Sequence, residues 1–372
     1  MKKRVISIVL SAVMAAALLA GCASTGSSAP AAESAPAAEE AAPAEEAAPS
    51  EEAAAPEAGA ATYALITKSA GNPYNEKEAE GFQEVIDAMG GTCIIQHPEA
   101  ATADAQIAVI QSLISQGVSS IAIAANDANA LSAALQEAAD AGIKICTLDS
   151  DVVADSRATF CNQAGVQEVG QALIDAVYDL TGGEGQYAIL SATSQATNQN
   201  AWIDSMKAIS EGDAKYAGLE LVEVAYGDDE PQKSTDQTQA LLQKYPDLKV
   251  ICAPTTVGIA AAAKVLQDQG SSVVLTGLGL PSEMAEYIGA DDAHSCPYMF
   301  LWNPIDLGRL AAYTSIALVN GDITGAVGDS FTAGDMGDYT LTGLADGSGS
   351  EIILGPPFQF NPENIDEWKS VY

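Results

Sequence analysis

Polar and aromatic side chains recur just behind short apolar runs along this chain. Lys68 and Asn72 follow the first run, Asn126 and Asp127 the third, and Asp149, Ser150 and Asp151 the fourth. Farther on come Thr193, Tyr226, the trio Pro254-Thr255-Thr256 and the pair Trp302-Asn303, with Asn198-Gln199 opening a helix after Thr193. Amides, hydroxyls, carboxylates, one ammonium and aromatic faces together suit a neutral ligand rich in hydroxyls. Each hydroxyl both donates and accepts, which Asp, Asn and Gln can match. Aromatic faces cover the C–H patches of a ring. Helix capping is the competing use of Asp149 and Asn198, and the better reading of Asp127.

Catalysis finds little support. The only histidines, His97 and His294, lack metal-like partners nearby in sequence and read as surface residues. No phosphate loop, dinucleotide fingerprint or nucleophile elbow follows a strand. The acidic pairs Asp228-Asp229 and Asp291-Asp292 fall in turns and read as solvated. An enzyme is not expected, and neither a metal nor a cofactor is called for.

The elements that must position these groups alternate. Strands are expected at 63–67, 93–96, 120–124 and 143–148, with helices at 76–89, 104–116 and 128–141. The second half repeats the scheme, with strands at 186–190, 220–225, 249–253 and 273–278. Its helices are expected at 166–180, 199–210, 232–244 and 257–269. This alternation argues for βαβ units and parallel sheets. The strands are near-continuous apolar runs, as expected when both faces are covered. Two arrangements fit: a closed eight-fold barrel, or two doubly wound domains side by side. A barrel would end simply on its eighth helix. Here a helix at 307–319 is followed by Gly- and Asp-rich turns, a strand at 352–354 and an irregular tail, which favours two domains. Ligands of open parallel sheets bind beyond the carboxyl ends of the strands, where the polar groups fall.

The first 22 residues carry a different message. Lys2, Lys3 and Arg4 precede an apolar run over 5–19, closed by Leu19-Ala20-Gly21-Cys22. The run suits a signal peptide and is short for a transmembrane helix. The tetrapeptide resembles a bacterial lipobox, in which Cys22 is lipidated and anchors the exported chain. Residues 23–60 are Ala, Pro, Glu and Ser-rich, with no aromatic side chain and prolines at 30, 36, 43, 49 and 56. Such a segment cannot bury enough apolar surface to fold, and reads as an extended tether.

The chain has a net charge of −35. Setting aside the three basic residues of the signal and the eight glutamates of 23–60 leaves 12 basic against 42 acidic side chains, a net of −30. That surface repels phosphate backbones, which argues against nucleic acid. It also offers nothing to anionic lipid, so membrane contact falls to Cys22. Five further cysteines, at 93, 146, 161, 252 and 296, include no pair at redox or metal spacing. Cys93, Cys146 and Cys252 lie in strand-like runs and read as small buried thiols.

From about residue 61 onward the chain resembles the periplasmic sugar-binding proteins of the ribose-binding type, the receptors of ABC importers. The resemblance rests on Gly71-Asn72-Pro73-Tyr74, Thr147-Leu148-Asp149-Ser150-Asp151 and Asn198-Gln199-Asn200-Ala201-Trp202. Within that family it is most similar to rhamnose-binding and autoinducer-2-binding receptors. Ala253-Pro254-Thr255-Thr256, Leu301-Trp302-Asn303-Pro304 and Ile353-Leu354-Gly355-Pro356-Pro357 point to the rhamnose group.

The resemblance implies two doubly wound α/β domains joined by a hinge, closing on a small sugar. The first domain is expected over 61–161 plus about 303–330, and the second over 162–302 plus about 331–372. Ligand positions are implied at Lys68, Asn72, Tyr74, Asn75, Asp149, Asn198, Gln199, Pro254, Thr256, Trp302 and Asn303. Asn198 stands where autoinducer-2 receptors carry Asp, and Asn75 where an aromatic is usual. These departures favour rhamnose or a related deoxyhexose, with an autoinducer-2 receptor for uptake or signalling as the alternative. The implied partner is an ABC permease, and the implied form is a monomer on the outer face of the cytoplasmic membrane, held by the lipid on Cys22.

Overall fold

Strand and helix alternate from the first described residue onward. A computed structural model describes residues 61–372. The expected signal segment, Cys22 and the tether lie outside the described residues.

The first stretch runs β1 (Thr62–Ile66), α1 (Pro73–Ala88), β2 (Thr92–Gln96), α2 (Ala103–Gln116), β3 (Ser120–Ile123), α3 (Ser132–Asp140), β4 (Lys144–Leu148) and β5 (Thr159–Asn162). The second runs α4 (Val166–Thr181), β6 (Gly185–Ser191), α5 (Thr197–Gly212), β7 (Leu219–Tyr226), α6 (Pro231–Lys244), β8 (Leu248–Ala253), α7 (Thr256–Gln269), β9 (Val274–Gly277), α8 (Pro281–Met284) and β10 (Met299–Leu301). The last runs α9 (Pro304–Asn320), β11 (Ser330–Thr332), β12 (Asp338–Thr340), β13 (Thr342–Gly343), β14 (Ser350–Ile353), β15 (Phe358–Phe360) and α10 (Ile365–Trp368).

Two main sheets result. The first has the order β13-β14-β5-β4-β3-β1-β2, parallel except where β13 meets β14. The second is the parallel set β7-β6-β8-β9, carried on by a bridge from Leu278 to Phe300 into the β10–β15 pair. The two-domain α/β expectation agrees with this architecture. Strand side chains alternate between faces. In the first sheet Tyr63, Leu65, Cys146 and Leu148 pack toward α1 and α9. Ala64, Ile66, Ile121 and Ile145 pack toward α2 and α3. Burial on both faces is why these strands read as unbroken apolar runs. The edge strand β2 is covered less well, so Cys93 is only half-buried.

Two glycines set the helix layer. A Cβ on Gly308 would sit 2.0 Å from the Glu78 carbonyl oxygen, and one on Gly81 would sit 1.9 Å from that of Ile305. Only glycine permits α1 and α9 to approach this closely.

The domain boundaries need correction at the C-terminal end. Strand β14 pairs in parallel with β5, so Ser350–Ile353 belongs to the first sheet. Phe331 and Tyr339 of the β11–β12 hairpin pack on the same cluster as α9. The expected second-domain segment 331–372 is therefore divided, and its part up to β14 lies with the first lobe. The cause is a strand pairing 191 residues apart, which no local pattern announces. The α3 helix also begins later than expected, because the Asp127 carboxylate caps a turn by accepting from the Asn129 and Ala130 amides.

Candidate functional site

Strand ends supply the site. Lys68 follows β1, Asp149 follows β4, Pro254 and Thr255 follow β8, and Trp302 follows β10. Asn198 and Gln199 lie in the first turn of α5, and Thr256 opens α7. Asn72 caps α1, its Oδ1 accepting from the Tyr74 amide at 3.0 Å, with Pro73 preset for the first helical position. Asn75 ties down the preceding loop by donating to the Ser69 carbonyl at 2.9 Å. Asp149 adopts a φ of 56°, a left-handed conformation that Asp tolerates better than most side chains. The chain turns sharply there, with the Ser150 amide on the Leu148 carbonyl at 2.5 Å.

These groups line one cleft of about 380 Å³ between the two sheets, and they are bonded to one another across it. The Lys68 ammonium lies 2.9 Å from Asp149 Oδ2. It also donates to Asn198 Oδ1 at 3.3 Å, and Asn198 Nδ2 donates to Asp149 Oδ1 at 3.2 Å. Tyr74 donates its hydroxyl to Asp149 at 3.4 Å and accepts from Trp302 Nε1 at 2.6 Å. Gln163 donates to Asp149 Oδ1 at 3.3 Å. Lys68, Tyr74 and Asp149 come from the first lobe, Asn198 and Trp302 from elements of the second. Aromatic rings close one side: Trp202 and Trp302 have centroids 5.6 Å apart, and Tyr74 meets Trp302 edge-on.

Burial shapes the charges. Burial alone would lower the Lys68 pKa, but the carboxylates of Asp149 and Asp229 outweigh it and raise it, so the lysine stays charged. Glu78, one helical turn beyond Tyr74, is fully buried, and neither carboxyl oxygen has a hydrogen-bond partner among the described residues. Burial, reinforced by the charge of Asp149, pushes its pKa well above the ordinary range, against the pull of Lys68. Asp229 is raised as well, by burial first, although Lys68 and the Thr255 hydroxyl oppose it. The cleft thus presents one cation, fixed carboxylates, amides and aromatic faces.

A family of known proteins has this build. The sequence model of the periplasmic binding protein domain matches residues 63–323. The chain belongs to the periplasmic binding protein family. The crystal structure of an ABC transporter solute binding protein from Clostridium phytofermentas with bound L-rhamnose is 62% identical. That match covers 84% of this chain and 99% of the other, with a TM-score of 0.83. A sugar ABC transporter structure from Actinomyces odontolyticus is 40% identical, covering 83% and 97% of the two chains, with a TM-score of 0.66. LsrB from Clostridium saccharobutylicum in complex with AI-2 shares the fold at 23% identity, covering 82% and 99%, with a TM-score of 0.76. Among curated proteins, a D-apiose import binding protein from Paraburkholderia graminis is 24% identical over 62% of this chain and 72% of its own length. This is a family of binding proteins, not of enzymes.

In this periplasmic binding protein, Lys68, Asn72, Tyr74, Asn75, Asp149, Asn198, Gln199, Pro254, Thr256 and Trp302 all line the cleft. Asn303 does not. Its Oδ1 accepts from the amides of Ile305 and Asp306 at 3.0 and 3.4 Å, so it caps α9. The expected ligand role of Asn303 is corrected to that of a helix cap. Asp229, expected to be solvated, lines the cleft and accepts from the Thr255 hydroxyl at 2.6 Å. Its neighbour Asp228 instead pairs with Lys233 at the surface. The available signal was position, since Asp229 stands just beyond β7 at a sheet's carboxyl edge. Trp202, Leu278 and Leu301 complete the wall.

Proposed function

We propose that this protein is the sugar receptor of an ABC importer and that its ligand is L-rhamnose or a closely related 6-deoxyhexose. The observation that carries this reading is the 62% identity, over nearly all of the other chain, to a protein with L-rhamnose bound. The chemistry of the cleft supports it. Lys68 donates to hydroxyl oxygens, Asp149 and Asp229 accept from hydroxyl protons, Asn198 does either, and Gln199, whose Oε1 is taken by the Ser191 hydroxyl and the Ala192 amide, donates. Trp202 and Trp302 cover C–H faces, while Leu278, Leu301 and Pro254 offer an apolar corner to the C6 methyl group.

Three chain crossings join the lobes: between β5 and α4, between β10 and α9, and between β14 and β15. They form a hinge about which the lobes close. Ligand favours closure only through contacts that both lobes make with it at once. Asp149 from one lobe and Asn198 from the other supply such a pair. The closed, loaded form is what a permease reads. Lipidation at Cys22 holds the receptor beside that permease on the outer face of the membrane.

Tryptophan fluorescence tests the reading, because Trp202 and Trp302 both line the cleft. L-rhamnose should change the emission saturably, and Trp302→Phe should remove much of the change. A saturable response to autoinducer-2 with none to deoxyhexoses would replace the reading with that of an autoinducer receptor.

A further inference from the structure

A second compartment adjoins the cleft on the far side of Asp149, Asn198 and Trp202, which line both. It is larger, about 960 Å³ against about 380 Å³. Its wall is mostly apolar, formed by Val153, Phe160, Val166 and Leu344 beside Trp202. Val153 and Val166 are 37% and 38% exposed. Asp149, Asn198 and Trp202 stand between the two compartments, and a hydrogen bond from Asn198 Nδ2 to Asp149 Oδ1 joins two of them.

One polar group in this wall is unspent. Gln163 is fully buried and donates its amide to Asp149, yet its Oε1 has no hydrogen-bond partner among the described residues. A buried acceptor of this kind calls for a donor. The charged groups nearby are already committed. Asp151 is paired with Arg157 and accepts from Thr147, and Asp346 accepts from Ser348. Three carboxylates, Asp149, Asp151 and Asp346, with no cation among the lining residues, disfavour an anion. A wall of apolar faces with one orphan acceptor fits a neutral ring bearing hydroxyls and C–H patches, which is a second sugar.

We propose that the second compartment binds the second ring of a neutral disaccharide whose terminal 6-deoxyhexose occupies the first. The inference rests on the sugar-receptor reading and extends it from a monosaccharide to a glycoside. Hydroxyls of the terminal ring take over the partners that Asn198 and Asp149 offer each other, and this opens the partition. The glycosidic oxygen then passes between the compartments. The second ring lies against Val153 and Leu344 and donates a hydroxyl to Gln163 Oε1.

The test is calorimetry on the full chain with L-rhamnose, methyl α-L-rhamnoside and a neutral α-L-rhamnosyl-glucose disaccharide. The disaccharide should bind about tenfold more tightly than the methyl glycoside, the gain of one hydrogen-bonded ring packed on apolar side chains. Val153→Trp fills the compartment from an exposed position and Val153→Asp makes it polar. Both should remove the tenfold gain while leaving L-rhamnose affinity within about twofold. Equal affinity for the disaccharide and the methyl glycoside, or a gain that survives Val153→Trp, overturns the second compartment and leaves the monosaccharide reading standing. Binding of none of the three overturns the reading and the proposal together.

Discussion

The Lys68 ammonium and the Asp149 carboxylate meet at 2.9 Å with side chains only 9% and 6% exposed. Each would be costly to bury alone, and each makes the other tolerable. On the proposed reading the pair serves stability and recognition at once, and its removal should show in both.

Asp149→Ala leaves a buried ammonium without its nearest partner, at about 3 kcal/mol. Each kcal/mol lowers Tm by roughly 2–4 °C in a protein of this size class. The ligand-free Tm should fall, and the sugar-induced rise should vanish. Lys68→Met with Asp149→Leu should recover much of the ligand-free Tm but none of the ligand response. Differential scanning calorimetry checks both. A normal ligand shift in Asp149→Ala would remove Asp149 from the site.

Glu78 gives a pH signature. Its folded-state pKa is raised, chiefly by burial. A carboxyl held above its ordinary value contributes stability that is complete below that value and is lost as pH rises through the folded pKa. Glu78→Gln cannot titrate. The Tm of Glu78→Gln minus that of the wild type should rise as pH increases from about 4.3, the ordinary glutamate value. A difference that stays flat or falls between acid and neutral pH would contradict the raised pKa of Glu78.

Asn303 separates capping from binding. Asn303→Ala should cost about 1 kcal/mol of stability, the usual loss for an N-cap. Sugar affinity should stay unchanged, because Asn303 does not line the cleft. A large loss of affinity at intact stability would return Asn303 to the site.

The α1–α9 contact makes a contrast of glycines. Gly308→Ala forces a methyl group against the Glu78 carbonyl and should destabilise by about 2 kcal/mol, as overpacking does. Gly212→Ala, at the end of α5 with open space around it, should be neutral or stabilise by up to about 1 kcal/mol. Equal effects in thermal melts would dismiss the close approach.

Much of this molecule was legible before its structure. Lys68, Asp149 and Pro254 each follow an apolar run, and parallel sheets bring strand ends to one edge, so position alone gathered them. What escaped depended on contacts distant in sequence. Strand β14 joins the first sheet through β5, 191 residues away, so the sequence alone places the stretch up to β14 with the wrong lobe. Asp229 enters the cleft through a turn at a φ of 54° and the Thr255 hydroxyl, neither visible in an Asp-Asp pair. Glu78 has no local sequence signal, and it is buried where two glycines let α9 press onto its helix. Asn303 erred the other way, since an Asn-Pro pair behind a strand looks alike as ligand or as cap.

The central claim is that the cleft around Lys68 and Asp149 holds a 6-deoxyhexose. Isothermal titration of the full chain with L-rhamnose tests it most directly. The account predicts saturable one-site heat that disappears in Asp149→Ala. Absence of heat with L-rhamnose, or identical heat in Asp149→Ala, would contradict it.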